Sequence, residues 1–221
     1  MHKVKIISKK YLTRDILEIR TEKPYNFKFI PGHSIMISIN NPSFTSPSLI
    51  KRPYNFTSLN DDSYLEFIIK LYRERNGLST QFEKLNIGEM LILEEMFGSH
   101  RYVGPGIFIA GGVGIAPFIA IFRQLKKDNA IEGNTLLFSS KTSKDIILEK
   151  ELKELLGENC IFTLTKENNS NRRIDKLFLI EKVSNFNQHF YICGPDSFAR
   201  DIKQMISEIK KEREQFDWFI N

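Results

Sequence analysis

The spacing of apolar residues changes near the middle of this 221-residue chain. In the first half the apolar positions fall in short runs rich in β-branched and aromatic residues, at 4–8, 16–20, 34–39, 52–57, 64–72 and 90–94. Turn residues separate them: Pro24, Pro31-Gly32, Asn40-Asn41-Pro42, Asn60-Asp61-Asp62 and Asn76-Gly77. Runs of this length and spacing predict strands of an antiparallel barrel. One helical pattern interrupts them at 78–85, where Leu78, Phe82 and Leu85 share a face. In the second half the period alternates. Apolar runs at 106–110, 135–139, 160–164 and 190–193 read as strands, and 117–127, 147–156, 174–183 and 195–211 read as helices. Strands alternating with helices predict a parallel sheet covered on both faces. The expected organisation is a β-barrel domain over 1–103 and an α/β domain over 104–221, with the boundary near Gly104-Pro105.

Two segments of the second half stand at the predicted carboxyl ends of strands, where ligands of open parallel sheets bind. The first is Ile109-Ala110-Gly111-Gly112-Val113-Gly114-Ile115-Ala116-Pro117 and the second is Tyr191-Ile192-Cys193-Gly194-Pro195-Asp196. Each follows an apolar run and precedes a helical pattern. Glycines at a strand-to-helix turn let the backbone approach a phosphate, and the helix start offers unpaired N–H groups and a positive dipole end. A chain with this arrangement twice is expected to bind a dinucleotide. The first half carries two further segments. Lys51-Arg52-Pro53-Tyr54-Asn55-Phe56-Thr57-Ser58 taken alone reads as a strand with a basic start. Arg75-Asn76-Gly77-Leu78-Ser79-Thr80 taken alone reads as an ordinary helix start, with Ser79 and Thr80 able to cap it or to contact a phosphate.

Composition narrows the function classes. Hydrophobic content of 41% and charged content of 27% are globular values. The longest nearly apolar run, 107–122, contains glycines and Pro117 and falls short of the roughly 20 residues of a membrane span. The first residues lack the apolar stretch of a signal peptide, which leads to the expectation of a cytoplasmic protein without a membrane partner. The two cysteines, Cys160 and Cys193, are too few for a four-cysteine iron–sulfur or zinc site, and the four histidines show no metal-ligand spacing. Any electron-carrying cluster is therefore expected on another chain. The net charge of +5 is concentrated in residues 1–103, which hold 15 Lys and Arg against 11 Asp and Glu. That excess suits an anionic cofactor or an acidic protein partner, and it lacks the dense basic runs of a nucleic-acid binder.

Taken together and in order, the four segments resemble the ferredoxin–NADP reductase superfamily, whose members carry Arg-x-Tyr-Ser/Thr, Gly-x-x-Ser/Thr, Gly-Gly-x-Gly-x-Ala-Pro and Cys-Gly-Pro motifs. The resemblance runs from about Val4 to Phe219. It implies an FAD-binding barrel followed by a nicotinamide-dinucleotide domain. By that resemblance Arg52 would pair with the FAD pyrophosphate, with Pro53 beside it, and Tyr54 would lie against the flavin. Ile69, Lys70 and Leu71 would line the isoalloxazine edge, and Gly77, Leu78, Ser79 and Thr80 would hold the pyrophosphate on backbone amides. Gly112, Val113, Gly114, Ile115, Ala116 and Pro117 would take the nicotinamide dinucleotide. Cys193 would sit beside the nicotinamide, with Gly194 and Pro195 shaping its turn. Asn55 departs from the pattern, standing where relatives have the Ser or Thr whose hydroxyl serves flavin N5; an amide can donate as well. The Gly-Pro expected before Gly98 is replaced by Glu95-Met96.

Thr165-Lys166-Glu167 stands where NADP-using relatives have Ser/Thr-Arg-Glu, so Lys166 with Thr165 is the candidate for the ribose 2′-phosphate and NADPH is favoured over NADH. Ser140, Lys141, Arg172 and Arg173 are further candidates, and the competing reading makes these solvated strand-end charges. At the C-terminus, Trp218 or Phe219 would stack on the flavin, or else the segment forms a last strand. The favoured function is hydride transfer from NAD(P)H to FAD, then single-electron delivery to a small acidic carrier, flavodoxin or ferredoxin. Lys51, Lys70, Arg73 and Arg75 would ring its docking site. The rivals are a reductase of free flavin or another small acceptor, and a non-catalytic flavin-binding docking or sensor subunit.

Overall fold

The computed structural model describes residues 1–39, 51–75, 77–98, 100–167 and 171–217. The turn expected at 40–42, together with Asn76, Trp218 and Phe219, lies outside the described residues. The chain divides into two compact units, Met1–Tyr102 with Ala116–Ala130, and Val103–Ile115 with Ile131–Asn221.

The first unit contains β1 (His2–Thr13), β2 (Ile16–Glu22), β3 (His33–Ile39), β4 (Arg52–Asn55), β5 (Tyr64–Lys70), α1 (Leu78–Lys84) and β6 (Met90–Gly98). They form an antiparallel six-stranded sheet in the order β4-β3-β6-β1-β2-β5. Just past β4, Phe56 bridges Phe67 of β5, which brings the two edge strands together and closes the barrel. Closure also explains why β4 is shorter than its apolar pattern: Thr57 leaves the β3 ladder to donate its N–H to Glu66 O at 2.9 Å. β1 and β6 run longer than their patterns because β1 pairs with β2 up to Thr13 and β6 pairs with β3 up to Gly98. The interior is apolar; Phe56 stacks on Phe29 at 4.1 Å, and Phe67 and Phe82 are fully buried. Burying each such ring stabilises the fold by about 1.5–3 kcal/mol.

One charged group sits among them. Glu66 has no exposed surface. Its Oε1 accepts from Arg123 Nη1 at 2.6 Å and Thr57 Oγ1 at 2.9 Å; its Oε2 accepts from Arg20 Nε at 2.9 Å. Arg123 also donates to Thr57 O at 2.7 Å. Arg123 lies on α2 (Ala116–Lys127), and this helix groups with the barrel although it lies beyond residue 104 in sequence. Burial alone would raise the Glu66 pKa, but Arg123, Thr57 and Arg20 outweigh it and hold the carboxyl below its ordinary value. Neighbouring Glu18 moves the other way, raised by burial and then by the charge of Glu66.

The second unit holds β7 (Gly106–Gly111), β8 (Thr135–Ser140), α3 (Glu149–Leu156), β9 (Cys160–Leu164), α4 (Lys176–Lys182), β10 (His189–Cys193) and α5 (Asp196–Asp217). The four strands are parallel in the order β10-β7-β8-β9. α3 begins two residues later than its pattern because Leu148 takes a left-handed conformation, φ +53°, as its N-cap. α4 likewise starts late, capped by Asp175, whose carboxylate accepts from Phe178 N at 2.8 Å. Where the chain enters this unit, the Tyr191 hydroxyl donates to Gly104 O at 2.7 Å and accepts from the N–H groups of Val103 and Gly104 at 3.0 and 3.1 Å. Among the described residues no helix is long and apolar enough to cross a membrane.

Because Glu66 is sealed from water, removing one cation strands a charge. Arg123→Ala is expected to cost about 3–5 kcal/mol in urea unfolding, with Glu66→Gln in that background returning part of the loss. A lowered folded pKa stabilises fully above the unfolded carboxyl value and is lost as pH falls through the folded one. The acid limb of the stability curve should therefore flatten in Glu66→Gln.

Candidate functional site

In the second unit the chain steps outward from β7 to β8 and β9, then returns to place β10 on the other side of β7. The carboxyl ends of β7 and β10 thus form the switch point of the sheet, where the loops diverge and leave a crevice. Both glycine segments stand there. Strand register explains how they meet. On one face Ile192, Ile109, Leu137 and Ile161 lie side by side across the four strands and pack with residues of α4 and α5. Two residues further along, the same face presents Gly111, Ser139 and Thr163, with Gly194 beside Gly111. The apolar layer gives way to a layer of small residues at the edge where the turns begin.

The glycines of this layer have separate uses. A methyl at Gly114 would fall 2.4 Å from the Cys193 carbonyl oxygen, so the two turns touch through backbone alone. A methyl at Gly111 or Gly194 would meet the Phe198 ring at 3.1 or 2.6 Å. Among the glycines of these two turns, Gly112 combines a left-handed φ of +55° with open space around its Cα. Its neighbours Val113, Gly114 and Ile115 complete a single 3₁₀ turn that runs straight into Ala116 and Pro117, the first residues of α2. This is the backbone form that can receive an anion. Cys193 ends β10 half-buried, and burial pushes its thiol up to about 11. Such a thiol is protonated at neutral pH and is no nucleophile. Pro195 is exposed and precedes α5.

At the other sheet edge, Thr165 donates its N–H and Oγ1 to Ser140 O at 3.0 and 3.2 Å, and Lys166 N–H donates to Lys141 O at 2.8 Å. These bonds carry the β8–β9 pairing one step past the strands and leave the Lys166 side chain exposed. Glu167 is turned away, accepting from Ser143 N–H at 2.8 Å. Arg172 pairs with Glu181 and lies over the Phe178 ring, while Arg173 is exposed.

The first unit brings β4 and α1 together. Tyr54 sets its ring edge-on to Phe82 of α1 at 5.3 Å, and burial raises its phenol pKa. Arg52 and Pro53 are exposed. The Arg52 guanidinium donates to the carbonyl of adjacent Lys51 at 3.0 Å, a bond that leaves most of its donors in water. Asn55 donates its amide to Ser34 Oγ at 2.8 Å. α1 opens at Gly77 with no side-chain cap; Leu78 is buried. The two hydroxyls expected to contact phosphate are engaged with backbone: Ser79 Oγ accepts from Tyr72 N–H at 3.2 Å, and Thr80 Oγ1 donates to Gly77 O at 2.7 Å. The side chains of Ile69 and Leu71 are buried in the barrel core, so only backbone and Lys70 of that segment can face a ligand. All four cations expected to ring the site have a carboxylate partner: Lys51 has Glu94 at 2.8 Å, Lys70 has Asp15 at 3.1 Å, Arg73 has Glu83 at 2.7 Å and Arg75 has Glu74 at 3.8 Å. The Arg75 pair is exposed. Phe198 and Ser34 were not foreseen. The only sequence signal for Phe198 is an aromatic residue one helical turn after Cys-Gly-Pro.

Comparison with known proteins places these units. An FAD-binding domain model matches residues 1–92, and an oxidoreductase NAD-binding domain model matches residues 108–204. NADH-cytochrome b5 reductase 3 of Rattus norvegicus is 27% identical over 71% of this chain and 62% of its own. A nitrate reductase [NADPH] of Emericella nidulans is 25% identical over 92% of this chain and 27% of its own. The chain thus spans only part of the curated relatives it matches. A ferredoxin NADP+ reductase of Neisseria gonorrhoeae with bound FAD and NADP has the same fold, with a TM-score of 0.78 and 22% identity over 94% of this chain and 90% of that one.

The thiols offer a direct check on the site's chemistry. Burial also pushes Cys160 up, to about 12. Iodoacetamide should modify the folded protein slowly at pH 7–9 and speed up only above about pH 10, whereas the urea-unfolded chain should follow an ordinary thiol midpoint of about 8.5. Fast labelling of Cys193 at pH 7 would contradict a buried neutral thiol.

Proposed function

From a chain that belongs to the ferredoxin–NADP reductase superfamily of FAD- and NAD-binding oxidoreductases, we propose a reductase that draws a hydride from NADPH and delivers electrons singly to a separate carrier protein. The observation that carries the reading is the meeting of two glycine turns at the switch point of the parallel sheet, with a neutral thiol at one strand end. In this reading the first unit holds FAD and the second holds the nicotinamide dinucleotide.

The residues of the first unit suit an anionic flavin dinucleotide. Arg52 has an exposed guanidinium fork, which matches phosphate better than an ammonium does. The uncapped start of α1 leaves its first N–H groups without intrahelical partners. With the Gly77 and Thr80 N–H groups and the Thr80 hydroxyl donated within the turn, the N–H groups of Leu78 and Ser79 and the Ser79 hydroxyl, which only accepts from Tyr72 N–H, are the pyrophosphate donors. Tyr54, fixed on Phe82, offers a rigid aromatic edge. FAD, when bound, supplies the chemistry that links two-electron and one-electron transfer. Asn55 holds its amide on Ser34, so its role is to fix β4 against β3 and to present its carboxamide oxygen or remaining N–H. Cys193 acts by position, packing beside the nicotinamide without forming a bond to it. Gly112 and the turn to Pro117 take the dinucleotide phosphates on backbone.

Lys166 carries the preference for NADPH as a point charge for the 2′-phosphate, with Thr165 fixing its backbone and NADH as the weaker donor. The acceptor is a small acidic carrier, flavodoxin or ferredoxin, met in the cytoplasm. Pairing of Lys51, Lys70 and Arg73 inside the chain weakens the field available for steering such a carrier. That observation favours a second reading, a reductase of free flavin or another small acceptor.

Lys166→Ala should raise the Michaelis constant for NADPH about tenfold and leave NADH unchanged, the loss of one charged phosphate contact. Equal effects on both nicotinamides would remove the 2′-phosphate assignment. The acceptor is tested by reducing the FAD-loaded protein anaerobically with NADPH and then adding an acidic flavodoxin, a basic cytochrome or free flavin. Carrier reduction that slows with added salt supports electrostatic docking, screened over about 8 Å at physiological ionic strength. Reduction of free flavin faster than of any carrier favours the second reading.

A further inference from the structure

Phe198 touches neither the glycine turn after β7 nor Cys193 in sequence, yet its ring covers both ends of the contact between them. It stands in the first turn of α5, on the sheet face that holds Ile109 and Ile192. At Gly194 an added methyl would lie 2.6 Å from Phe198 Cδ1 and 3.3 Å from Gly111 Cα. At Gly111 it would lie 3.1–3.3 Å from three atoms of the same ring. The ring therefore rests on two adjacent strand ends where neither has a side chain. Gly114 presses its backbone on the same Cys193–Gly194 peptide. The Cys193–Gly194 turn thus meets the glycine turn at Gly114 and an aromatic ring at Gly194.

We infer that Phe198 is a positioning residue that sets the separation of the Gly112–Ile115 turn from Cys193, and through it the placement of the nicotinamide for hydride transfer. This inference rests on the reading of the second unit as the nicotinamide site. A ring is suited to the task because it is flat and stiff, and it fills the layer that the glycines leave empty without adding a polar group. A smaller side chain leaves a void into which the Cys193–Gly194 turn can relax. A shift of about 1 Å at a reacting centre can slow a reaction about 100-fold while binding persists.

The test uses the full-length, FAD-loaded protein with Cys160→Ser, so that only Cys193 reports. In Phe198→Ala the limiting rate of flavin reduction by NADPH is expected to fall about tenfold or more, with the NADPH dissociation constant changed less than about threefold. FAD content and dithionite reduction should match the parent. Iodoacetamide labelling of Cys193 should rise about tenfold as the turn loosens. Phe198→Leu, which keeps most of the volume, should restore both measurements to within about threefold and serves as the comparison if the alanine variant does not fold. A folded Phe198→Ala protein with the parent's reduction rate and labelling rate overturns the inference, as does a loss carried wholly by nicotinamide affinity. A parent protein that neither nicotinamide reduces overturns the functional reading instead, and unchanged labelling in Phe198→Ala then still refutes the proposed packing role.

Discussion

Two pieces of backbone approach so closely at the end of the parallel sheet that no side chain fits between them. The Gly114 Cα faces the Cys193 carbonyl at a distance that excludes a methyl group, while Gly111 and Gly194 lie side by side under the Phe198 ring. This contact draws the turns after β7 and β10 together at the switch point before they lead into separate helices. It also fixes where the half-buried thiol ends its strand. Any substitution at Gly114 must push backbone against backbone, which side-chain adjustment cannot relieve.

The change of apolar period, the barrel strands, the alternating second half and the two glycine segments were all legible in the sequence. Each is a local signal: an alternation of two, a helical repeat, a turn residue. The reading was weaker wherever a residue's part depends on a distant partner. Glycines 111, 114 and 194 look alike in sequence as phosphate-approach residues, but their room is taken by Phe198 and by each other, and among the glycines of these two turns Gly112 keeps open space. Ser79 and Thr80 look like phosphate ligands, yet the nearest acceptors and donors are the Gly77 carbonyl and the Tyr72 amide, seven residues apart at most. Ile69 and Leu71 sit in the expected segment with side chains on the core side of β5. Glu66 and Arg123 are separated by 57 positions, and nothing local marks them as partners.

The charge distribution shows the same division. Counting residues places the positive excess in the first 103 positions. The folded chain spends several of those charges on its own carboxylates, at Lys51, Lys70 and Arg73. Exposed ion pairs of this kind contribute little to stability, about 0–1 kcal/mol each, but they neutralise the local field. Arg52, Lys166 and Arg173 are different: they are exposed, and no carboxylate pairs with them among the described residues. They are the places where an anion could add a contact without first breaking one.

Helix α2 leaves the glycine turn in the middle of the second half, yet it packs with the barrel, where Arg123 meets Glu66. The chain therefore passes between units at residues 102–103, 115–116 and 130–131, and neither unit is one continuous stretch of sequence. A gene fragment ending near residue 103 would encode every barrel strand and still lack a structural part of the barrel. It would bury a carboxylate with one of its two cations missing. Evolutionary exchange of whole flavin modules, or laboratory grafting of one, has to carry this helix along, and with it the turn that belongs to the other unit. The two halves of the molecule are thus distinct as folded bodies but not separable as lengths of chain.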